Sequence, residues 1–151
     1  MLFFPKVKIN WQKVITASVI VFVIEMVVRQ VEAFLTMQYY VMHEYFGVWS
    51  KLMMPKAGPP PPEFFVTSAM FSFLGALILA CVYECIKGSL SKQFWPRVLG
   101  FTKLMTLLML AFAFMPMFLM MNIPQALLVS WFVTSVLVTL VASMVFVKIL
   151  K

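Results

Sequence analysis

The chain has 151 residues, of which 64% are hydrophobic and only 11% are charged, with a net charge of +7. Soluble domains are about half apolar and about a quarter charged, so this composition argues against a soluble globule, which has no place to bury so much apolar surface. The basic residues are scattered near predicted helix ends and form no dense patch. This distribution argues against nucleic-acid binding and favours an integral membrane protein beside anionic lipid head groups.

The first predicted helix follows a short basic and aromatic segment, residues 1–13, and runs from about Trp11 to His43. Glu25 and Arg29 interrupt the apolar run that a signal peptide would need, so we interpret this region as an uncleaved anchor. A helix over 11–43 would be about 48 Å long, against about 30 Å for the hydrocarbon core of a bilayer. It is therefore expected to tilt or to project beyond the membrane.

A proline-rich loop is predicted over residues 44–62. The run of prolines at 59–62 favours a stiff polyproline II segment. The aromatic residues of this loop, above all Trp49, are expected to lie on the membrane surface or to cap the bundle.

The second helix is predicted over residues 63–86, because prolines followed by Glu63 suit the first turn of a helix. Its small residues predict a face for close helix contact. Cys81 and Cys85 lie one turn apart, too far for an unstrained disulfide, and are interpreted as inert. The small-residue face consists of Ser68, Ser72, Gly75 and Ala76.

The third and fourth helices are predicted over residues 98–121 and 123–150. Pro116 predicts a kink or a local opening in the third helix. Asn122 is expected to cap the fourth helix, with Pro124 inside its first turn.

Four spans place both termini on one side of the membrane. Nine basic residues then lie on that side, and only Lys51 and Lys56 lie on the other. The positive-inside rule therefore predicts an all-α, integral membrane four-helix bundle, up-down-up-down, with cytoplasmic N- and C-termini. The two halves show no repeat, which argues against an inverted-repeat transporter.

The unusual polar residues of the chain lie on one face of the first helix, within an arc of roughly 100° at about 100° per residue. We call this face the polar stripe. Its members are Glu25, Arg29, Glu32, Thr36, Tyr39, Tyr40 and His43.

Ionisable residues at membrane depth are costly and point to a function by default. The spacing lets Arg29 reach both Glu25 and Glu32, so one interpretation is a self-neutralising group that passes through the membrane or docks on a neighbouring subunit. The other is a proton or cation path with Glu25 as its deepest carboxylate. The polar stripe is thus predicted to be either partner-docking or pore-lining.

Other chemistry has weaker signals. His43 is the only histidine, which argues against zinc sites and bis-histidine haem within one chain. A pigment, haem or quinone contact through Tyr39, Tyr40, His43 and Trp49 stays open, and the sequence requires no cofactor. Met117 and Met121 are spaced as a thioether pair, which makes copper handling a third hypothesis. The chain has no catalytic motif and no Asp, so we do not expect an enzyme.

The segment YECIKGSL, followed by a basic turn and the stretch from Phe101 to Phe146, resembles small bacterial four-span membrane proteins of unknown function. The likeness covers residues 64–150 and includes a proline-bearing third helix and an Asn-x-Pro corner at residues 122–124. The resemblance implies the four-helix layout and a multi-pass protein of the bacterial inner membrane. It implies no activity.

The leading expectation is a non-catalytic accessory or structural subunit of a larger membrane complex, with the bilayer and other membrane subunits as partners. The alternatives are a small proton or cation transporter that uses Glu25, Arg29 and Glu32, and copper handling by methionine.

Overall fold

The computed structural model describes residues 9–56 and 59–151. Predictions that concern Lys6 and Lys8 of the entry segment, and Gly58 of the proline-rich loop, lie outside the described residues. Within these two ranges every regular element is a helix and no strand occurs.

Six α-helices and three tighter or wider helical turns make up the described chain. Four continuous segments are long and apolar enough to cross a membrane, which confirms a multi-pass, all-helical membrane protein. The α-helices are α1 (Trp11–Leu35), α2 (Met37–Tyr40), α3 (Pro62–Ile86), α4 (Phe94–Met109), α5 (Met115–Met120) and α6 (Gln125–Ile149). The 3₁₀ turns are His43–Val48 and Lys87–Ser89, and a π-helical turn, Leu110–Phe114, joins α4 to α5.

The first helix is shorter than the predicted 11–43, because α1 ends at Leu35. Thr36 leaves the helical conformation at φ −105° and ψ 9°. Its single hydroxyl proton is shared between the Glu32 carbonyl oxygen at 2.8 Å and the Glu32 carboxylate at 3.1 Å. Back-bonding of this kind competes with the helix's own hydrogen bonds and often bends a helix.

Prolines set the ends of the other helices. Pro62 occupies the first turn of α3 together with Glu63, as the sequence predicted. Helix α4 begins at Phe94, before the predicted residue 98, because Pro96 also fits a first turn, where its missing N–H has no intrahelical partner.

The expected cap of the fourth helix is wrong. Pro124, at φ −54° and ψ 126°, is the residue that precedes α6, and Asn122 lies before it in the connecting segment. A proline disfavours helical backbone in the residue before it, so Ile123 cannot begin the helix.

The predicted opening near Pro116 takes the form of the π-helical turn. The Met115 N–H donates to the Leu110 carbonyl, five residues back. A proline inside a helix lacks one donor and clashes with the carbonyl four residues earlier, and the wider turn relieves that clash.

Helix α6 is the most buried span, and it packs against α1 on one side and α4 on the other. Helix α1 also packs against α3. The tightest part of the core is a group of three rings, Tyr83, Phe101 and Phe146, whose centroids lie 5.2 to 6.2 Å apart. Beyond this end of the bundle, α3 and α4 make few contacts in the described residues, which leaves a cleft between them.

Lys87 links two helix ends near the three rings. Lys87 Nζ donates to Glu84 Oε1 at 2.9 Å and to the Leu150 carbonyl at 2.8 Å. This contact ties the end of α3 to the end of α6. Cys81 and Cys85 are both free thiols, as the sequence predicted.

Candidate functional site

The polar stripe is divided by its packing against α6. Glu32 is only 7% exposed, and its Oε1 accepts hydrogen bonds from Ser130 Oγ at 2.8 Å and from Thr36 Oγ1 at 3.1 Å. A buried carboxylate is costly unless it is hydrogen-bonded, and these two hydroxyls meet that requirement. Glu32 and Thr36 are therefore held inside the chain and are not free to dock on another protein.

Arg29 contacts one carboxylate rather than two. Its Nε lies 3.6 Å from Glu25 Oε1, and its Nη2 donates to Ser135 Oγ at 3.2 Å. The expected group of Arg29 between both acids is thus wrong, because Glu32 turns towards Ser130 on α6 instead. The side chains of Arg29 and Glu25 keep 39% and 17% of their exposure, so this ion pair is not sealed.

An aromatic cluster lies past the end of α1. Trp131 Nε1 donates to the Tyr40 hydroxyl at 2.8 Å, and the Trp49 ring packs 5.1 Å from the Tyr40 ring and 6.2 Å from the Trp131 ring, centroid to centroid. Burial raises the pKa of the Tyr40 phenol, so the phenol stays neutral and accepts this hydrogen bond. The loop aromatics were predicted to lie on the membrane or to cap the bundle, and Trp49 caps the bundle.

Two members of the polar stripe stand apart from the rest. Tyr39 is partly buried and His43 is exposed, and neither pairs with Glu25, Arg29 or Glu32. The helix break at Thr36 rotates the chain after it, so the helical wheel does not apply across that residue.

The cleft between α3 and α4 has a volume of about 580 Å³. We call it the α3/α4 cleft. Val21, Glu25 and Arg29 of α1 form its floor together with Ser135, Val138 and Thr139 of α6. Its α3 wall consists of Phe64, Thr67, Ser68, Phe71, Ser72, Gly75, Ala76 and Leu79, and Met105, Leu108 and Met109 of α4 lie opposite.

The hydroxyl face of α6 was missed by the sequence reasoning. Ser130 donates a hydrogen bond to Glu32, and Ser135 accepts one from Arg29. Ser143 accepts a hydrogen bond from Thr102 of α4 at 2.9 Å. Hydroxyls bonded across helices are a common means of helix association in membranes. The available signal was the recurrence of hydroxyl residues every four or five positions along an otherwise apolar helix.

The methionine pair lies at the end of α5. Helix α5 ends at Met120, and Met121 has extended backbone at φ −117° and ψ 134°. The Met121 N–H still donates to the Met117 carbonyl at 3.0 Å, so the two residues lie one helical turn apart, and the copper hypothesis stays a prediction. Among the described residues there is also no group of three or more His, Cys, Asp or Glu side chains able to hold a metal ion.

Comparison with known proteins adds no relative: no family model, no curated protein and no solved structure matches the chain.

Proposed function

We propose that the protein is a non-catalytic accessory subunit of a larger membrane complex. We further propose an up-down-up-down arrangement in a bacterial inner membrane with both termini in the cytoplasm, as the distribution of basic residues favours. The proposed docking surface is not the whole polar stripe, because its centre is occupied by α6.

One observation carries the proposal: apolar side chains remain exposed beyond the length of chain that a bilayer covers. Helix α1 has 25 residues and is about 37 Å long, already longer than the hydrocarbon core of about 30 Å. We infer that α1 projects rather than tilts, so that the chain after Leu35 extends past that core. We call its exposed apolar side chains, together with His43, the rim surface: Met37, Val41, Met42 and His43.

The rim surface needs a cover. Met37 and Val41 are 60% and 67% exposed, and they lie one turn apart in the same short segment. An exposed apolar patch bordered by polar groups is typical of a protein contact site.

The test is purification of the tagged chain from its native membrane in a mild detergent. We expect other subunits in fixed stoichiometry, and we expect Val41→Glu to lose them. Gln38→Glu adds the same charge at an exposed residue that is already polar, three positions before Val41, and serves as the matched control that keeps them. A chain that purifies only as a stable monomer or homo-oligomer, with no other subunit, contradicts the proposal.

A proton or cation transporter is the second candidate, because Glu25 and Arg29 line a cleft rather than being sealed in the core. Ionisable groups that face a cavity at membrane depth are common in transport paths. Proteoliposomes containing the purified chain test this candidate with a pH-sensitive dye inside the vesicles. Transport requires a proton or cation flux that Glu25→Gln abolishes; flux no greater than in protein-free vesicles contradicts it.

A further inference from the structure

The α3/α4 cleft has the length of a lipid leaflet. Its α3 wall runs from Phe64 to Leu79, always on the same helical face. These fifteen steps cover about 22 Å at about 1.5 Å per residue. Half of the hydrocarbon core is about 15 Å thick. The cleft therefore extends through one leaflet and reaches the middle of the membrane.

Small side chains keep the cleft open. Ser68, Ser72 and Gly75 recur on the wall at spacings of three and four residues, whereas Ala76 packs against α1, where its carbonyl lies 3.5 Å from Ser18 Oγ. A Cβ atom added at Gly75 would meet nothing within 4 Å. The predicted helix-contact face is thus only partly used by the described chain.

The surroundings of a spanning helix supply the occupant. A void of about 580 Å³ is within the range of ligand sites, about 300–1,000 Å³. Most of its lining surface is apolar, although hydroxyl groups and the Glu25–Arg29 pair also face it, and an empty void forfeits the dispersion contacts of its lining. The hydrocarbon available at this depth is the acyl chain of a lipid.

A polar anchor lies within reach of the lipid's oxygen atoms. Arg29 lies six residues before the end of α1, about 9 Å along the helix. Its guanidinium has five N–H donors, of which the contacts to Ser135 and Glu25 engage only a part. Phosphate and ester oxygens are acceptors only and match that geometry.

We propose that the α3/α4 cleft binds one phospholipid, with an acyl chain along Ser68, Ser72 and Gly75 and with its ester and phosphate oxygens hydrogen-bonded to Arg29. This site is separate from the rim surface and lies on a different part of the molecule, so it stands or falls independently of the accessory-subunit proposal.

Native mass spectrometry of the purified chain, titrated with phosphatidylglycerol after delipidation, tests the proposal. We expect one saturable adduct per chain. Gly75→Leu fills the cleft and is expected to weaken binding at least tenfold, and Arg29→Gln several-fold. The control is Val66→Leu, which enlarges a side chain that is 62% exposed on α3 and lies outside the cleft. Titration with oleate separates a phospholipid from a free fatty acid: equal or tighter oleate binding overturns the assignment.

A second measurement needs no variant and so does not depend on a mutant fold. A phosphatidylglycerol with a diazirine on its acyl chain is photolysed with the unmodified chain in nanodiscs, and the labelled peptides are mapped. We expect saturable labelling of Ser68–Gly75 and Met105–Met109 that excess unlabelled lipid removes. Even labelling of all outward faces, or Gly75→Leu binding lipid like the unmodified chain, would each overturn the proposal.

Discussion

Removal of the Ser130 hydroxyl is the most direct test of the contact between α1 and α6. Ser130 Oγ lies 2.8 Å from Glu32 Oε1, a carboxylate that is 7% exposed. In Ser130→Ala, Glu32 keeps the donor at Thr36 but loses the only side-chain hydrogen bond that it receives from α6 in the described residues. The change should therefore weaken the contact between α1 and α6 without disturbing the end of α1.

The expected loss of stability in Ser130→Ala follows from two ranges of hydrogen-bond free energy. Hydrogen bonds between helices in membranes average about 0.6 kcal/mol and reach about 1.7. Bonds to charged groups contribute about 1.5–3 kcal/mol, and the loss of one donor leaves part of a buried charge uncompensated. The short distance and the burial of Glu32 place this bond where the two ranges meet. We expect Ser130→Ala to lower the free energy of unfolding by about 1.5 kcal/mol.

Unfolding in mixed micelles, followed by circular dichroism as the fraction of sodium dodecyl sulfate rises, measures this free energy. The control is Thr16→Val, because the hydroxyl of this exposed residue donates only within α1, to the Gln12 carbonyl at 2.8 Å. A double-mutant cycle with Glu32→Gln isolates the pair. If Ser130→Ala costs no more than Thr16→Val, and the cycle shows no coupling, the account of Glu32 as a buried contact with α6 is refuted.

Three further predictions concern the ends of the bundle. Lys87→Met removes the donor that ties Glu84 to the end of α6, so a lower melting temperature is expected in detergent; an unchanged value contradicts this role. Trp49→Ala should release the loop that follows α2, so that limited proteolysis cleaves this loop faster than in the unmodified chain. Equal cleavage rates in the two chains would refute the role of Trp49 in holding the loop. Single cysteines placed at Lys51 and Ser91 in a chain without other cysteines test the topology: in intact spheroplasts an impermeant maleimide should label the first and spare the second.

Helix positions in this protein follow from local chemistry. A long apolar run allows only a helix in lipid, because every backbone polar group needs an internal partner there. Proline then sets particular points: Pro62 starts α3, and Pro116 opens the chain into a π-helical turn. Where the sequence reasoning failed, at Asn122, it preferred a capping side chain to the backbone restriction imposed by Pro124.

The candidate site was predicted only in part. The polar stripe was visible because ionisable residues are rare within an apolar helix. The different contacts of its members were not visible, since a helical wheel assigns Glu25 and Glu32 to one face without saying what each one contacts. The decisive partners, Ser130 and Ser135, come about 100 residues later, and serine is too common in membrane helices to attract notice alone.

The sequence by itself determined that this is a multi-span helical membrane protein, because composition and periodicity act through neighbouring residues and through the solvent around them. Only the tertiary structure decided which polar groups are consumed inside the chain and which remain available. Glu32 and Thr36 are held against α6, whereas Glu25 and Arg29 line the α3/α4 cleft. That difference depends on contacts between distant segments. The change of backbone direction at Thr36 separates Tyr39 and His43 from the rest of the polar stripe, and the missing side chain at Gly75 leaves space in the cleft.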